Sequence, residues 1–451
     1  MPQLWFRSAL LPGGWARDVR ITVEAGRIAA VAAGVAPEPA DERHGIVVPG
    51  LSNLHSHAFQ RGMAGLAETR GPERDTFWTW REVMYHFLDR LTPEDNEAVA
   101  AMAYAEMLEA GFTRVGEFHY LHNDRDGTPY AEPAEMAFGI AAAAAATGIA
   151  LTLLPVFYAH GGFGPRPAVH GQRRFLSGRD GFARLVEGGR QAVAGLDGAV
   201  VGIAPHSLRA ATLDDIAAIL PLAAGGPVHI HAAEQVLEVE ECVAALGTRP
   251  VETLLDGAPV DRRWCLIHAT HMTPDETRRL AESGAVAGLC PVTEGNLGDG
   301  IFPLEAYAEA GGRFGIGTDS NVLIGAADEL RMMEYAQRLS LRRRNVLTGP
   351  ASPSTGRALF DAALAGGAQA LGVPAGLEPG AAADLVALDP DHPALVERDG
   401  DALLDGWIFA ARSSPVVAVW RAGRPVVVGG RHVDHAGITA RYRATLARLL
   451  A

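Results

Sequence analysis

Between Gly45 and Asn321 the chain repeats one pattern: a short, almost wholly apolar run, then a longer helical stretch. The runs lie at 46–57, 114–120, 150–158, 200–208, 228–234, 265–271, 285–293 and 313–321. Strands that are apolar along their length are buried on both faces, which is the mark of a parallel sheet. Eight strand-then-helix units predict an α/β fold, a closed (β/α)8 TIM barrel. Helical patterns at 94–110, 213–222 and 274–283 lie between the runs. Thr92-Pro93-Glu94 and Thr273-Pro274-Asp275-Glu276 supply a capping Thr, Pro in the first turn and acids near the positive end.

The flanks differ. Short strand-like runs at 19–23 and 27–33 precede the barrel, and others at 383–388 and 415–428 follow it. They predict a small β-sandwich-like domain built from both chain ends. The expected divisions are 1–48 for its N-terminal part, 49–372 for the barrel, and 373–451 for its C-terminal part with a terminal helix over 434–451.

Composition narrows the partners. A net charge of −14 argues against nucleic acid or an anionic membrane. The longest apolar run, 136–158, is alanine-rich and broken by Thr147-Gly148 and Pro155, so a helix, a turn and a strand fit it better than a membrane span. No basic segment followed by an apolar one marks residues 1–7 as a signal peptide. Cys242, Cys265 and Cys290 show no CxxC spacing and read as thiols in a reducing cytoplasm.

Chemistry-bearing side chains collect where the strands end. His57, Tyr120, Tyr158, His206, His231, His268 and Asp319 all fall at or just after a C-terminal strand end, the face on which barrels build active sites. His55 and His57 are two apart, so a strand points both rings to one side. In a closed barrel the first and eighth strands are neighbours and the fifth lies opposite. His55, His57, His231 and Asp319 are therefore the candidate metal ligands. Three imidazoles and a carboxylate suit Zn(II), with Fe(II) or Mn(II) as alternatives. His229 shares a face with His231 one layer deeper and reads as structural. Glu234, three residues past His231, is a candidate proton shuttle, although a loop Glu alone is more often a solvated acid. His268 is placed to touch the same water.

This arrangement resembles the amidohydrolase superfamily over almost the whole chain. Many members hold two metals bridged by a carbamylated lysine on strand four. The chain contains no lysine, so the resemblance implies one metal here. Asn53-Leu54-His55-Ser56-His57-Ala58-Phe59-Gln60-Arg61, Glu117-Phe118-His119-Tyr120-Leu121-His122 and His229-Ile230-His231-Ala232-Ala233-Glu234-Gln235 look like the formimidoylglutamate deiminase family. That resemblance implies hydrolysis of N-formimino-L-glutamate to N-formyl-L-glutamate and ammonia in histidine degradation. It implies Gln60, Arg81, Tyr120, His206 and Arg209 as substrate-binding residues, and Glu234, His268 and Asp319 as the catalytic ones. It also implies a homodimer. A small dianion needs charge-assisted donors, and arginine gives two-pronged carboxylate contacts. The alternatives are a deaminase acting on a purine, cytosine or triazine ring, and a catalytically silent binding subunit.

Overall fold

In the computed structural model, which describes residues 3–70, 75–348 and 352–451, the run at 46–57 forms two strands where one was expected. Glu42–Pro49 joins the flanking sheet, and Leu51–Ser56 opens the barrel. Gly50 is the pivot. Its amide donates to the Asp384 carbonyl at 3.1 Å, and a Cβ there would lie 2.2 Å from the Thr113 side chain. Only glycine lets the chain leave one sheet and enter the other so close to a neighbouring strand.

The next barrel strands are Phe112–His119 and Ala150–Phe157, each parallel to the one before. The fourth, expected to be continuous over 200–208, is broken into Val200–Val201 and Ala204–Pro205, both paired with the third. Val228–Ala232, Trp264–His268, Val286–Leu289 and Arg313–Ile316 form the other half in the same sense.

Two seams close the barrel. At one, the amides of His229 and His231 donate to the carbonyls of Ile203 and His206 at 3.1 and 3.0 Å. At the other, Asp319 N donates to His55 O, and His57 N to Asp319 O, each at 2.9 Å. The segments that close the barrel are thus the ones that carry its chemistry-bearing side chains.

The last two strands stop short of their expected ends. Pro291 starts a helix, Pro291–Leu297, because its fixed φ and missing N–H suit a first helical turn. Beyond Ile316 the chain leaves regular strand geometry, with Asp319 and Asn321 in the left-handed region at φ 45° and 54°.

Both chain ends build one eight-stranded sheet. Its order is Arg431–His432, Arg424–Val428, Val416–Arg421, Leu385–Leu388, Glu42–Pro49, Gln3–Leu11, Gly14–Glu24, Arg27–Ala32. The run at 415–428 is a hairpin that turns at Gly423, and Gln3–Leu11 is a strand the sequence pattern did not suggest. Alternation divides the faces. Leu4, Phe6, Val19, Ile21, Leu385, Ala387 and Trp420 share one core, while Ile46, Val48, Val386 and Val419 join the barrel core.

The run at 136–158 is a helix, Glu135–Thr147, a left-handed Gly148, then the third barrel strand. Among the described residues no helix is long and apolar enough to cross a membrane. The terminal helix, His435–Leu449, is pinned beside the barrel mouth. Tyr442 donates to the Arg61 carbonyl at 3.2 Å, and Arg448 pairs with Asp95.

Asp215 offers a test of the helix caps. It sits in the first turn of Leu213–Ile219, accepting from Thr212 N and Oγ1 at 3.1 and 2.8 Å and from Arg179 Nη2 at 2.8 Å, with His160 Nε2 at 3.1 Å. Burial pushes this carboxyl up, but the bonds from Thr212, Arg179 and His160 outweigh it and bring it from 3.8 to about 2. Its contribution is therefore present above pH 4 and lost as pH falls through about 2. Asp215→Ala is expected to lower unfolding free energy at pH 7 by about 2 kcal/mol. Denaturant titrations of wild type and variant should converge as the pH drops from 4 towards 2.

Candidate metal and substrate site

His57 Nδ1 lies 3.0 Å from the Phe118 carbonyl, and His231 Nδ1 lies 3.0 Å from the His206 carbonyl. A carbonyl can only accept, so both Nδ1 atoms carry the proton and both Nε2 atoms present lone pairs. His57 Nε2 and His55 Nε2 are 3.2 and 3.4 Å from Asp319 Oδ1, and His231 Nε2 is 3.1 Å from His55 Nε2. One ligand atom from each of these four buried residues lies within 4.8 Å of the others. Burial pushes all three imidazoles down toward the neutral form, His55 to about 3. Asp319 stays ionised: burial opposes its charge, but the His55 and His268 rings beside it outweigh burial. The His57 lone pair faces a carboxylate, which cannot donate to it, and a buried acceptor so placed is stabilised by a cation. The donor set fits one divalent ion.

Asp319 is held by its neighbours. Asn321 Nδ2 donates to Ser56 Oγ and to the His57 and Asp319 carbonyls at 3.0–3.1 Å. Asn53 Oδ1 accepts from Thr318 N at 3.0 Å, and Thr318 Oγ1 donates to Asn321 Oδ1 at 2.6 Å. This network stabilises the left-handed backbone at Asp319, strain of the type that gathers at functional sites. His268 carries the same strain at φ 66°. His229, expected to be structural, is buried with Nε2 at 2.8 Å from the Ala370 carbonyl.

An acid–base group adjoins the four ligands. His268 Nε2 is 3.6 Å from Glu234 Oε1 and 3.7 Å from Asp319 Oδ2, and its Nδ1 is 3.3 Å from Glu294 Oε1. Burial works against a charge on His268, yet Glu234, Glu294 and Asp319 outweigh it and hold the ring protonated. Glu234 is pushed up to about 7, chiefly by burial, with His268 and Arg209 pulling the other way. Asp299, behind this group, accepts from Gln235 Nε2 through one oxygen and is pushed up to about 9 by burial and the nearby Glu234.

One cavity is lined both by His57, His231, Glu234, His268 and Asp319 and by Gln60, Arg81, Tyr120, His206 and Arg209. His55 is fully buried beneath it. Among the described residues Arg81 makes no ion pair, and the nearest carboxylate to Arg209 is Glu234 at 3.9 Å. Nε of both arginines is buried without a partner. Trp78 supports them, with its ring 4.4 Å from Arg81 Cζ and 5.7 Å from Arg209 Cζ. Gln60 Nε2 donates to the Tyr120 hydroxyl at 2.9 Å, and Gln60 Oε1 is free. Sequence reasoning missed Glu294, Asp299 and the task of Trp78. The one available signal was Trp78's place three residues before Arg81, which is one helical turn in Phe77–Leu88.

Residues 46–426 match the Amidohydrolase family, and residues 3–45 match the Formimidoylglutamate deiminase HutF N-terminal domain. The chain belongs to the amidohydrolase family. The formimidoylglutamate deiminase of Pseudomonas aeruginosa is 50% identical over 455 residues, with 100% of both chains covered. A 5-methylthioadenosine/S-adenosylhomocysteine deaminase of Natronomonas pharaonis is 32% identical, covering 95% of this chain and 89% of its own. The crystal structure of an amidohydrolase from Brucella melitensis, 57% identical, covers 100% of both chains with a TM-score of 0.97.

If the four-residue cluster of this amidohydrolase takes an ion, chelation should lower its melting temperature, and added Zn(II) should restore it. At free ion one hundred times Kd the gain is about 2.7 kcal/mol. Asp319→Asn should abolish the zinc-dependent part of that shift in a calorimetric scan.

Proposed function

We propose that this amidohydrolase hydrolyses N-formimino-L-glutamate to N-formyl-L-glutamate and ammonia, a step in histidine degradation. The observation that carries this reading is the pair of guanidinium groups, Arg81 and Arg209, that share the cavity of the ion-ready cluster: among the described residues Arg81 has no ion-pair partner, and Arg209 has only Glu234, at 3.9 Å. The full-length likeness to the Pseudomonas deiminase supports it. A substrate with two carboxylates supplies the missing counter-charge and leaves its formimino end toward the histidines.

His55, His57, His231 and Asp319 would hold one ion, and Zn(II) is our choice for three imidazoles and a carboxylate. Such an ion lowers the pKa of water toward neutrality. Asp319 Oδ2 faces His268 and accepts the proton of the attacking water. Protonated His268 orients that water and stabilises negative charge as it develops. Water adds to the formimino carbon, and Glu234 delivers a proton to the imino nitrogen. Asp319 passes the proton it holds to the same nitrogen, ammonia leaves, and the remaining hydroxyl proton goes to the Glu234 carboxylate as the new C–O bond becomes the formyl carbonyl, which restores both carboxyl groups. A carboxyl raised to about 7 holds and gives a proton near neutral pH, as this role requires. Gln60, Tyr120 and His206 complete the substrate pocket. The proposal includes barrel limits of 49–372, a homodimer and a cytoplasmic location, the last supported by three unpaired cysteines.

A second reading, ring deamination, draws on the aromatic wall of Phe77, Trp80 and Phe175 and on the Natronomonas relative. A neutral ring would leave Arg81 uncompensated and Arg209 with Glu234 alone, so it fits less well.

The deciding assay is ammonia release by metal-replete protein from N-formimino-L-glutamate, with guanine and cytosine alongside. Release from the formimino acid alone is expected; release only from a ring compound overturns the proposal. Glu234→Gln should keep its ion and lose roughly 10²–10⁴-fold in kcat. Arg209→Ala should raise KM by about a hundredfold or more while ion content is unchanged.

A further inference from the structure

Tyr158 follows the third barrel strand and lines the same cavity as Arg81, His206 and Arg209. Its ring is buried, packed against Phe175 and His206 at centroid distances of 5.7 and 4.7 Å. Its hydroxyl lies 2.8 Å from Gln172 Nε2. The orientation of that amide is fixed, because Gln172 Oε1 accepts from Val169 N at 2.8 Å. The NH2 side of Gln172 must therefore face the tyrosine. Tyr158 is the acceptor in this bond, and its own proton is left for another partner. Among the described residues no group accepts it.

Tyr120, which with Tyr85 also lines this cavity, differs. It accepts from Gln60 and has Met84 Sδ at 3.3 Å for its proton. A buried O–H without an acceptor is costly, and buried polar groups are as a rule paired. Burial also keeps the Tyr158 phenol protonated, so it remains a donor. An acceptor between Tyr158, Arg81 and Arg209 would satisfy the phenol and both guanidinium groups at once.

We propose that Tyr158 is a further substrate-binding residue, whose hydroxyl donates to a carboxylate oxygen of the dianion held by Arg81 and Arg209. This rests on the deiminase reading above. Gln172 is its positioning residue: by donating to the phenol oxygen it leaves the phenol proton for the cavity.

The test combines kinetics on N-formimino-L-glutamate with calorimetric binding of glutarate, for wild type, Tyr158→Phe and Gln172→Glu. Tyr158→Phe is expected to raise KM and glutarate Kd about tenfold while kcat falls less than about twofold, with ion content and melting temperature unchanged. Gln172→Glu keeps the hydroxyl but captures its proton, so a similar rise in KM is expected there. An unchanged KM in Tyr158→Phe, or a fall in kcat alone, overturns the Tyr158 assignment and leaves the deiminase reading standing. A normal KM in Gln172→Glu overturns the positioning role of Gln172. If wild type does not turn over the formimino acid, that reading fails instead. Glutarate binding then decides on Tyr158, and equal affinity of wild type and Tyr158→Phe overturns it. No glutarate binding to wild type overturns both.

Discussion

Two backbone carbonyls, of Phe118 and His206, fix the protons of His57 and His231 on Nδ1 and so turn two lone pairs toward Asp319 and His55. Neither carbonyl is a free ornament of a loop. Phe118 belongs to the second barrel strand, and the His206 carbonyl also receives the His231 amide that helps join the fourth strand to the fifth. The opposite seam works in the same way, since Asp319 exchanges backbone bonds with His55 and His57. Closing the barrel and aiming the ligands are therefore one act. A slip in strand pairing would lose both, because side chains change face with each residue.

The cavity separates two electrostatic problems. In one, Glu234, Glu294 and Asp319 surround a single His268, and burial raises the cost of each unpaired charge. Glu234 sits between His268 at 3.6 Å and Arg209 at 3.9 Å, and still burial holds it at about 7. It is balanced between its two protonation states, as proton delivery near neutral pH demands. In the other, Arg81 and Arg209 stand near one indole face. An aromatic face lowers the cost of two neighbouring cations by about 0.5–2 kcal/mol each without neutralising either. Their field stays available for an anion even though the protein as a whole carries a charge of −14.

Much of this was legible in the chain. Apolar runs gave the barrel strands, and Thr-Pro-acid starts gave two helices, because burial on both faces and capping are local demands. His55, His57, His231, His268 and Asp319 stand out because each falls near the end of an apolar run. The break at Gly50 was not legible, since it depends on Thr113 from the next strand and on Asp384 from the far end of the chain. The strand Gln3–Leu11 was hidden for a like reason: it is defined by pairing with Gly14–Glu24 and Glu42–Pro49. Glu294 was missed because it follows the run at 285–293, which reads as a strand, whereas Pro291 starts a helix that brings the carboxylate back to His268. The free proton of Tyr158 follows only from Val169 fixing Gln172, a relation that no residue type announces.

In the proposed reading, chemistry and selectivity rest on different parts of the chain. The four candidate ligands and His268 sit on strand ends or on the bonds that close the barrel. Gln60, Trp78 and Arg81 sit on the long excursion between the first strand and the helix Pro93–Glu109. Tyr158 and Gln172 bracket the loop after the third strand. Helix Phe77–Leu88 is bound to the rest largely by side-chain packing, through Met84, Tyr85 and Leu88 against Phe175 and Tyr120. Change in these excursions can alter which substrate is held without disturbing the seams that aim the imidazoles. That division lets one barrel serve several hydrolytic deaminations, and it puts the information about substrate in the loops over the cavity and the information about reaction in the strands beneath them.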